Sequence, residues 1–412
     1  MKRIAILLSL LLCLGLAAMA QTVPEGLVDK TLRLDYIFSG DSAGSEISLD
    51  ELRSSEGWYG RTVNMADVPV KGNGQITMRD AATAKVLYRT SFSTLFNEWQ
   101  LTEEATKTRR SFENVFLVPM PSAEADITVE LFSPHGDLQS SLTHRVDPAD
   151  VMIRPLVPSG APTRLLHKGT LDNCIDVVIL AEGYTAAEAE TFYADAATAV
   201  ESILAHEPFG SMKDCFNFIA VALPSEDSGV SVPQKGEWKS SPLSSHFNTF
   251  YMDRYLTTLH LKDMHNALAG IPYEHIIVLA NTDYYGGGGI YNSYTLTTAH
   301  HQMFRPVVVH EFGHSFGALA DEYYYDDMYS EWYFPDVEPW EKNLTTKVDF
   351  ESKWKDMLLT GVPGVDLLEG GGYSSKGVWR PAEDCRMHTN SCGAFCPVCQ
   401  RAILDMIRFY TR

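Results

Sequence analysis

The chain has 412 residues, of which 45% are hydrophobic and 21% charged, a balance that supports a full core and excludes an intrinsically disordered protein. That length allows two to three domains. A formal net charge of -20 argues against nucleic acid as a partner, because phosphate binding needs a basic face.

Lys2 and Arg3 open the sequence, residues 4–16 are apolar, and Ala18-Met19-Ala20 offers a small-x-small cleavage pattern. Residues 1–20 are therefore expected to be a signal peptide, too short to remain as a transmembrane helix. The expected address is exported (periplasm, cell surface or secreted), with no membrane span after signal removal.

Residues 21–155 read as a β-sandwich-like N-terminal domain. Strands are predicted at 32–38, 74–78, 86–90, 112–118 and 125–131, with Gly72-Asn73-Gly74 and Pro134-His135-Gly136 as turns. Residues 156–170 carry Pro158, Gly160, Pro162 and Gly169 and are read as a linker.

From 171 to 412 the pattern changes to alternating strand and helix, the α/β (α+β) arrangement of a catalytic domain with a mixed sheet. Residues 175–181 form a continuous apolar run, the kind buried on both faces. Thr185 and Glu188 make a capping box that starts a helix to about residue 206, with Phe192, Ala196, Val200 and Ile203 on one face. Strands at 216–222 and 274–280 and a helix at 250–268 follow, and residues 290–298 alternate as an exposed or edge strand would. Gly286-Gly287-Gly288-Gly289 lacks the Lys-Ser/Thr of a phosphate loop. It is either an edge on which a peptide backbone pairs as an added strand, or a flexible hairpin.

The chemistry lies in His310-Glu311-Phe312-Gly313-His314, an H-E-x-x-H pattern led by Val307-Val308-Val309, with Pro306 suited to a first helical turn. Four residues of helix advance about 400°, so His310 and His314 fall about 40° apart on one face. Their imidazoles can converge on one zinc ion, and Glu311 is placed to reach a zinc-bound water as general base. After Gly317, suited to the left-handed turn that ends a helix, the chain continues Ala318-Leu319-Ala320-Asp321-Glu322. The metzincin spacing would put a third ligand at 320, but Ala320 cannot bind metal. Asp321 is the preferred third ligand and Glu322 the alternative. Met387, in Cys385-Arg386-Met387-His388, fits a methionine turn beneath the zinc.

These residues resemble a known family. Residues 176–184, His310 to Gly317 with Ala320-Asp321-Glu322, and Phe395-Cys396-Pro397-Val398-Cys399 together look like the IgA peptidase family of zinc metallopeptidases, over about residues 170–405. The resemblance implies a metzincin-like catalytic domain behind an N-terminal β-domain, with His310, His314 and Glu311 in the roles above. It implies protein substrates, immunoglobulin or other host glycoproteins among them, although a fold does not fix specificity.

Six cysteines remain beyond Cys13. In an exported chain, two disulfides among Cys385, Cys392, Cys396 and Cys399 are preferred over a structural zinc site, with Cys174 and Cys215 as a third pair. Tyr323, Tyr324, Tyr325 and His388 are candidate oxyanion donors, and His300 and His301 are assigned no role. Asp326, Asp327 and Glu369 offer a calcium site that nothing else supports. The expected function is an exported zinc metalloendopeptidase with one catalytic Zn2+, acting on a protein or peptide substrate. The alternative is an exported binding or scaffold protein that keeps a non-catalytic zinc helix.

Overall fold

Residues 27–155, with alternating burial along several strands, fold into two facing four-stranded sheets. The strands are β1 (Leu27–Asp41), β2 (Gly44–Glu56), β3 (Gly74–Asp80), β4 (Val86–Phe92), β5 (Arg110–Pro121), β6 (Ala125–Phe132), β7 (Leu138–Val146) and β8 (Arg154–Pro155). One sheet has the order β5-β1-β2-β8 and the other β4-β3-β6-β7. On β6, Ala125, Ile127, Val129 and Leu131 point inward in strict alternation. Between the sheets lie Tyr36, Phe38, Phe92 and Phe116, with the Phe92 and Phe116 ring centroids 4.4 Å apart. The five predicted strands are all present. β2 and β7 escape prediction because most of their side chains are exposed or half-buried, leaving no apolar alternation to read. The computed structural model describes residues 23–325 and 332–412. The expected signal peptide and Asp326-Asp327 lie outside the described residues.

The second half is built on a six-stranded mixed sheet. Its strands are β9 (Thr163–His167), β10 (Ile175–Glu182), β11 (Phe216–Val221), β12 (His275–Ala280), β13 (Gly287–Ile290) and β14 (Tyr294–Thr298), in the order β13-β14-β12-β10-β11-β9. β10, β11, β12 and β14 run parallel, and β9 and β13 close the edges antiparallel. β9 lies inside the stretch expected to be a linker; its exposed side chains hide it from a reading based on apolar runs.

The continuous apolar strands are buried on both faces, but by different layers. Val177, Ile179, Phe216, Phe218 and Leu279 pack with residues of helices on one side. Val178, Leu180, Ile276, Val278 and Leu296 share a core with the N-terminal sheets on the other. The α-helices among the described residues are α1 (Leu95–Gln100), α2 (Ala189–Leu204), α3 (Leu261–Ala267), α4 (Phe304–Ser315), α5 (Lys355–Leu359) and α6 (Pro397–Thr411), and α2, α4 and α6 form the helical layer. The Thr185–Glu188 capping box forms as expected. A hairpin of β15 (Leu368–Gly371) and β16 (Ser374–Arg380) completes the fold. Among the described residues no helix is long and apolar enough to cross a membrane.

Two elements differ from the sequence expectation. The helix expected at 250–268 shrinks to α3, because Asn248, Phe250 and Tyr251 take positive φ and break the run. The alternating segment at 290–298 is not an edge: β14 is buried throughout, and the edge strand is β13. Its polar residues meet a helix instead of solvent, as when the Thr295 hydroxyl donates to the Glu311 carbonyl at 3.2 Å.

Polar contacts tie the two halves together. Arg33 and Asp35 form a fully buried bidentate pair at 2.7 and 2.9 Å, and Arg33 also donates to the Asn266 side chain at 2.8 Å. Removing one partner of such a pair leaves an uncompensated buried charge. Arg33→Met should cost about 3–5 kcal/mol in denaturant unfolding, and the double variant Arg33→Met/Asp35→Leu should recover most of it.

Candidate active site

Helix α4 carries His310, Glu311 and His314 on its last two turns, and Gly289 of β13 lies directly against it. A Cβ on Gly289 would fall 2.2 Å from the Glu311 carbonyl oxygen, and one on Gly287 would fall 2.8 Å from the Glu311 carboxylate. The glycine run is thus an ordered strand whose missing side chains let strand and helix touch. At Gly287 and Gly288 its outer edge is covered, since the Gly287 N–H donates to the Arg254 carbonyl at 3.3 Å and Gly288 backs on to Tyr255. It is an ordered edge strand, not a loose hairpin, and Gly287 and Gly289 line a cleft.

The helix ends after Ser315, and the left-handed residue of the turn is Ala318 rather than Gly317. Gly317 serves by closeness, because a Cβ there would stand 2.7 Å from the Gly313 carbonyl. The turn swings Asp321 back to the histidines. Asp321 Oδ1 lies 2.9 Å from His310 Nε2 and 3.3 Å from His314 Nε2, and the two Nε2 atoms are 3.0 Å apart. A tetrahedral ion bonded at 2.0–2.1 Å asks for ligand separations of about 3.3 Å.

Both imidazoles are oriented through their other nitrogen. His310 Nδ1 bonds to the Arg386 carbonyl at 2.9 Å and His314 Nδ1 to the Leu319 carbonyl at 2.6 Å. Carbonyls only accept, so each Nδ1 carries a proton and each Nε2 is free to present a lone pair. Asp321 Oδ1 is buried, and while both rings are neutral with their protons on Nδ1 no N–H reaches it, despite its nearness to both Nε2 atoms. In that state three lone pairs converge with no hydrogen between them. Burial would favour protonating Asp321, but the imidazoles hold its pKa well below the usual carboxylate range. Burial likewise opposes charge on His314, yet Asp321 outweighs it and pushes that pKa up to about 9. A proton relieves the crowding in one way, and a divalent cation fits the donor set in the other.

Glu322, the alternative third ligand, turns the opposite way and is fully buried beside Cys399. Two residues absent from the sequence reading fix the split. Tyr373 donates its hydroxyl to Asp321 Oδ2. Asn343 exchanges two 2.8 Å bonds with the Ala320 backbone and donates to Glu322 at 3.0 Å. Met387 is buried under the helix, its sulfur 2.8 Å from where a Gly313 Cβ would sit.

His310, Glu311, His314, Asp321 and Tyr373 line a cleft of about 820 Å³. Glu311 faces it, and burial raises its pKa above the ordinary value, with the flanking imidazoles opposing. Tyr323, Tyr325 and His388 line it too, whereas Tyr324 packs outside against Gly370. His300 bonds to Asp195 and His301 meets Tyr285 edge-on, and neither lines the cleft. Glu369 pairs with Lys376. Arg254, also not singled out from sequence, holds a cation at the cleft wall by donating to the Tyr325 hydroxyl at 3.0 Å. Glu98 arrives from α1 of the N-terminal half and accepts from the Tyr255 hydroxyl. Burial pushes its carboxyl up to about 7, against the effect of that bond.

None of the six described cysteines is paired. The expected disulfides are absent for a geometric reason: Cys392 turns to the Ala394 carbonyl and Cys174 to that of Leu171, while Cys385, Cys396 and Cys399 gather around Glu322.

The family model described as IgA Peptidase M64 matches residues 164–366 and 363–407, and the one described as Peptidase M64 N-terminus matches residues 25–143. No curated protein matches the sequence.

Gly289→Ala should lower any activity of this cleft on the order of 10²-fold by displacing Glu311, whereas Gly44→Ala, with open space around it, should not; initial rates of both variants check this. Glu98 keeps its proton in the folded state up to about pH 7 but ionises near 4.5 when unfolded. Its contribution to stability is therefore greatest below pH 4.5 and falls as pH rises through 7. Melting temperatures at pH 5 and 8 should show wild type losing ground to Glu98→Gln as pH rises.

Proposed function

The chain belongs to the IgA peptidase M64 family, and on that premise we propose that it is an exported zinc metalloendopeptidase hydrolysing peptide bonds in proteins. The observation that carries this reading is the convergence of His310 Nε2, His314 Nε2 and Asp321 Oδ1 beside the Glu311 carboxylate in one cleft. Two imidazoles and a carboxylate, with no fourth protein ligand among the described residues, are the donor set of a catalytic zinc site that keeps one position open. When bound, zinc supplies Lewis acidity, acidifying a water molecule and drawing electron density from the scissile carbonyl.

The chain's own residues do the rest. Glu311 takes the proton of the attacking water as the C–O bond forms, then passes it to the leaving amine as the C–N bond breaks. Its raised pKa suits a group that must both accept and return a proton near neutrality. Tyr323, Tyr325 and His388 offer hydrogen-bond donors to the oxygen that gains negative charge. Arg254 adds a fixed positive charge on the same wall.

Immunoglobulin or other host glycoproteins are substrates to be tried, and export rests on the sequence of residues 1–20. The test is cleavage of a diverse peptide library by the mature protein with and without a zinc chelator. Chelator-sensitive cleavage is expected, and Glu311→Gln should keep its metal while losing about 10²–10⁴-fold in rate. Undiminished turnover by Glu311→Gln would overturn the mechanism. Bound metal with no cleavage of any peptide would favour the binding-protein alternative.

A further inference from the structure

Behind the candidate active site lies a second convergence of donor atoms. Glu322, Cys385, Cys396 and Cys399 are buried, at most 5% exposed, and one ligand atom from each lies within 4.8 Å of all the others. Glu322 Oε1 is 3.0 Å from Cys399 Sγ and 4.0 Å from Cys396 Sγ. We propose that these four side chains hold a structural zinc ion, separate from the candidate catalytic centre.

The donor chemistry fits. Three sulfurs and one carboxylate oxygen fill a tetrahedron and leave no open position, which is the pattern of a structural site and of a metal that accepts thiolate. Backbone N–H groups point at the sulfurs: Cys396 N to Cys385 Sγ at 3.2 Å, Met387 N to the same sulfur at 3.5 Å, and Cys399 N to Cys396 Sγ at 3.5 Å. Such bonds favour the thiolate form that a metal needs. Cys396 is the N-cap of the 15-residue helix α6 and Cys399 lies in its first turn, where the helix dipole also favours negative charge. Glu322 Oε2 is buried with no hydrogen-bond partner. A carboxylate fully buried without a cation is costly, and among the described residues no Lys or Arg side chain bonds to it. Cys392 lies outside the cluster.

The ion would join three distant segments. Glu322 follows Asp321 directly, and its N–H donates to the Met387 carbonyl at 2.8 Å. Cys385 opens the turn that supplies the Arg386 carbonyl to His310. One ion would therefore pin the loop that delivers Asp321 and the turn that orients His310 to the start of α6.

The test measures metal content and zinc-edge X-ray absorption on the full mature chain. Wild type should bind two equivalents of zinc. The His310→Ala/His314→Ala variant should keep one, with a sulfur-dominated shell at about 2.3 Å. That variant isolates this proposal from the catalytic reading. A double variant that folds without metal would overturn it. Should the variant not fold, wild type decides: one equivalent without sulfur scattering, or a disulfide among Cys385, Cys396 and Cys399 in a non-reducing peptide map, would overturn the proposal.

Discussion

Three lone pairs brought to one buried point are the constraint on which this structure turns. His310, His314 and Asp321 place donor atoms about 3 Å apart, an arrangement that repels itself unless a proton or a cation sits among them. The groups around it enforce that arrangement. The Arg386 and Leu319 carbonyls set the imidazole rings, Tyr373 turns the Asp321 carboxylate, and Asn343 locks the backbone at Ala320. Such partners matter because they fix ligand orientation before any ion arrives.

The N-terminal half takes part in this constraint. Its sheets, together with α3 and residues 230–256, form the core on the face of the central sheet that the helical layer leaves open, so the strands behind the site depend in part on it for burial. The buried Arg33–Asp35 pair reaches Asn266 on α3, and Glu98 on α1 reaches the cleft itself. A chain stripped of this half would lose part of the cover on that face of the sheet that positions α4. The paired family matches over residues 25–143 and 164–407 accord with that physical dependence.

Much of this was legible in the residues. Strong alternation in β6, the apolar run of β10 and the Thr185–Glu188 box each announce their element, because burial pattern and capping are local properties. The spacing of His310 and His314 announces their common face for the same reason. What stayed hidden depends on distant contacts. Asp321 and Glu322 are adjacent carboxylates, and distant partners, Tyr373 for one and Asn343 and Cys399 for the other, decide which faces which cluster. The threonines of β14 look solvent-facing until α4 is placed over them. Cysteine count and a leader sequence suggested disulfides, yet the fold carries Cys392 away and brings Glu322 in. Glu98 and Arg254 carry no motif at all, and their place in the cleft follows from domain packing and a broken helix.

The most direct test of the central claim is anomalous diffraction at the zinc edge from crystals of the mature protein. The account predicts a peak within bonding distance of His310 Nε2, His314 Nε2 and Asp321 Oδ1, with Glu311 beside it and not bonded to it. Absence of a peak at fully ordered, zinc-replete side chains, or a peak bonded to Glu311 in place of Asp321, would contradict it.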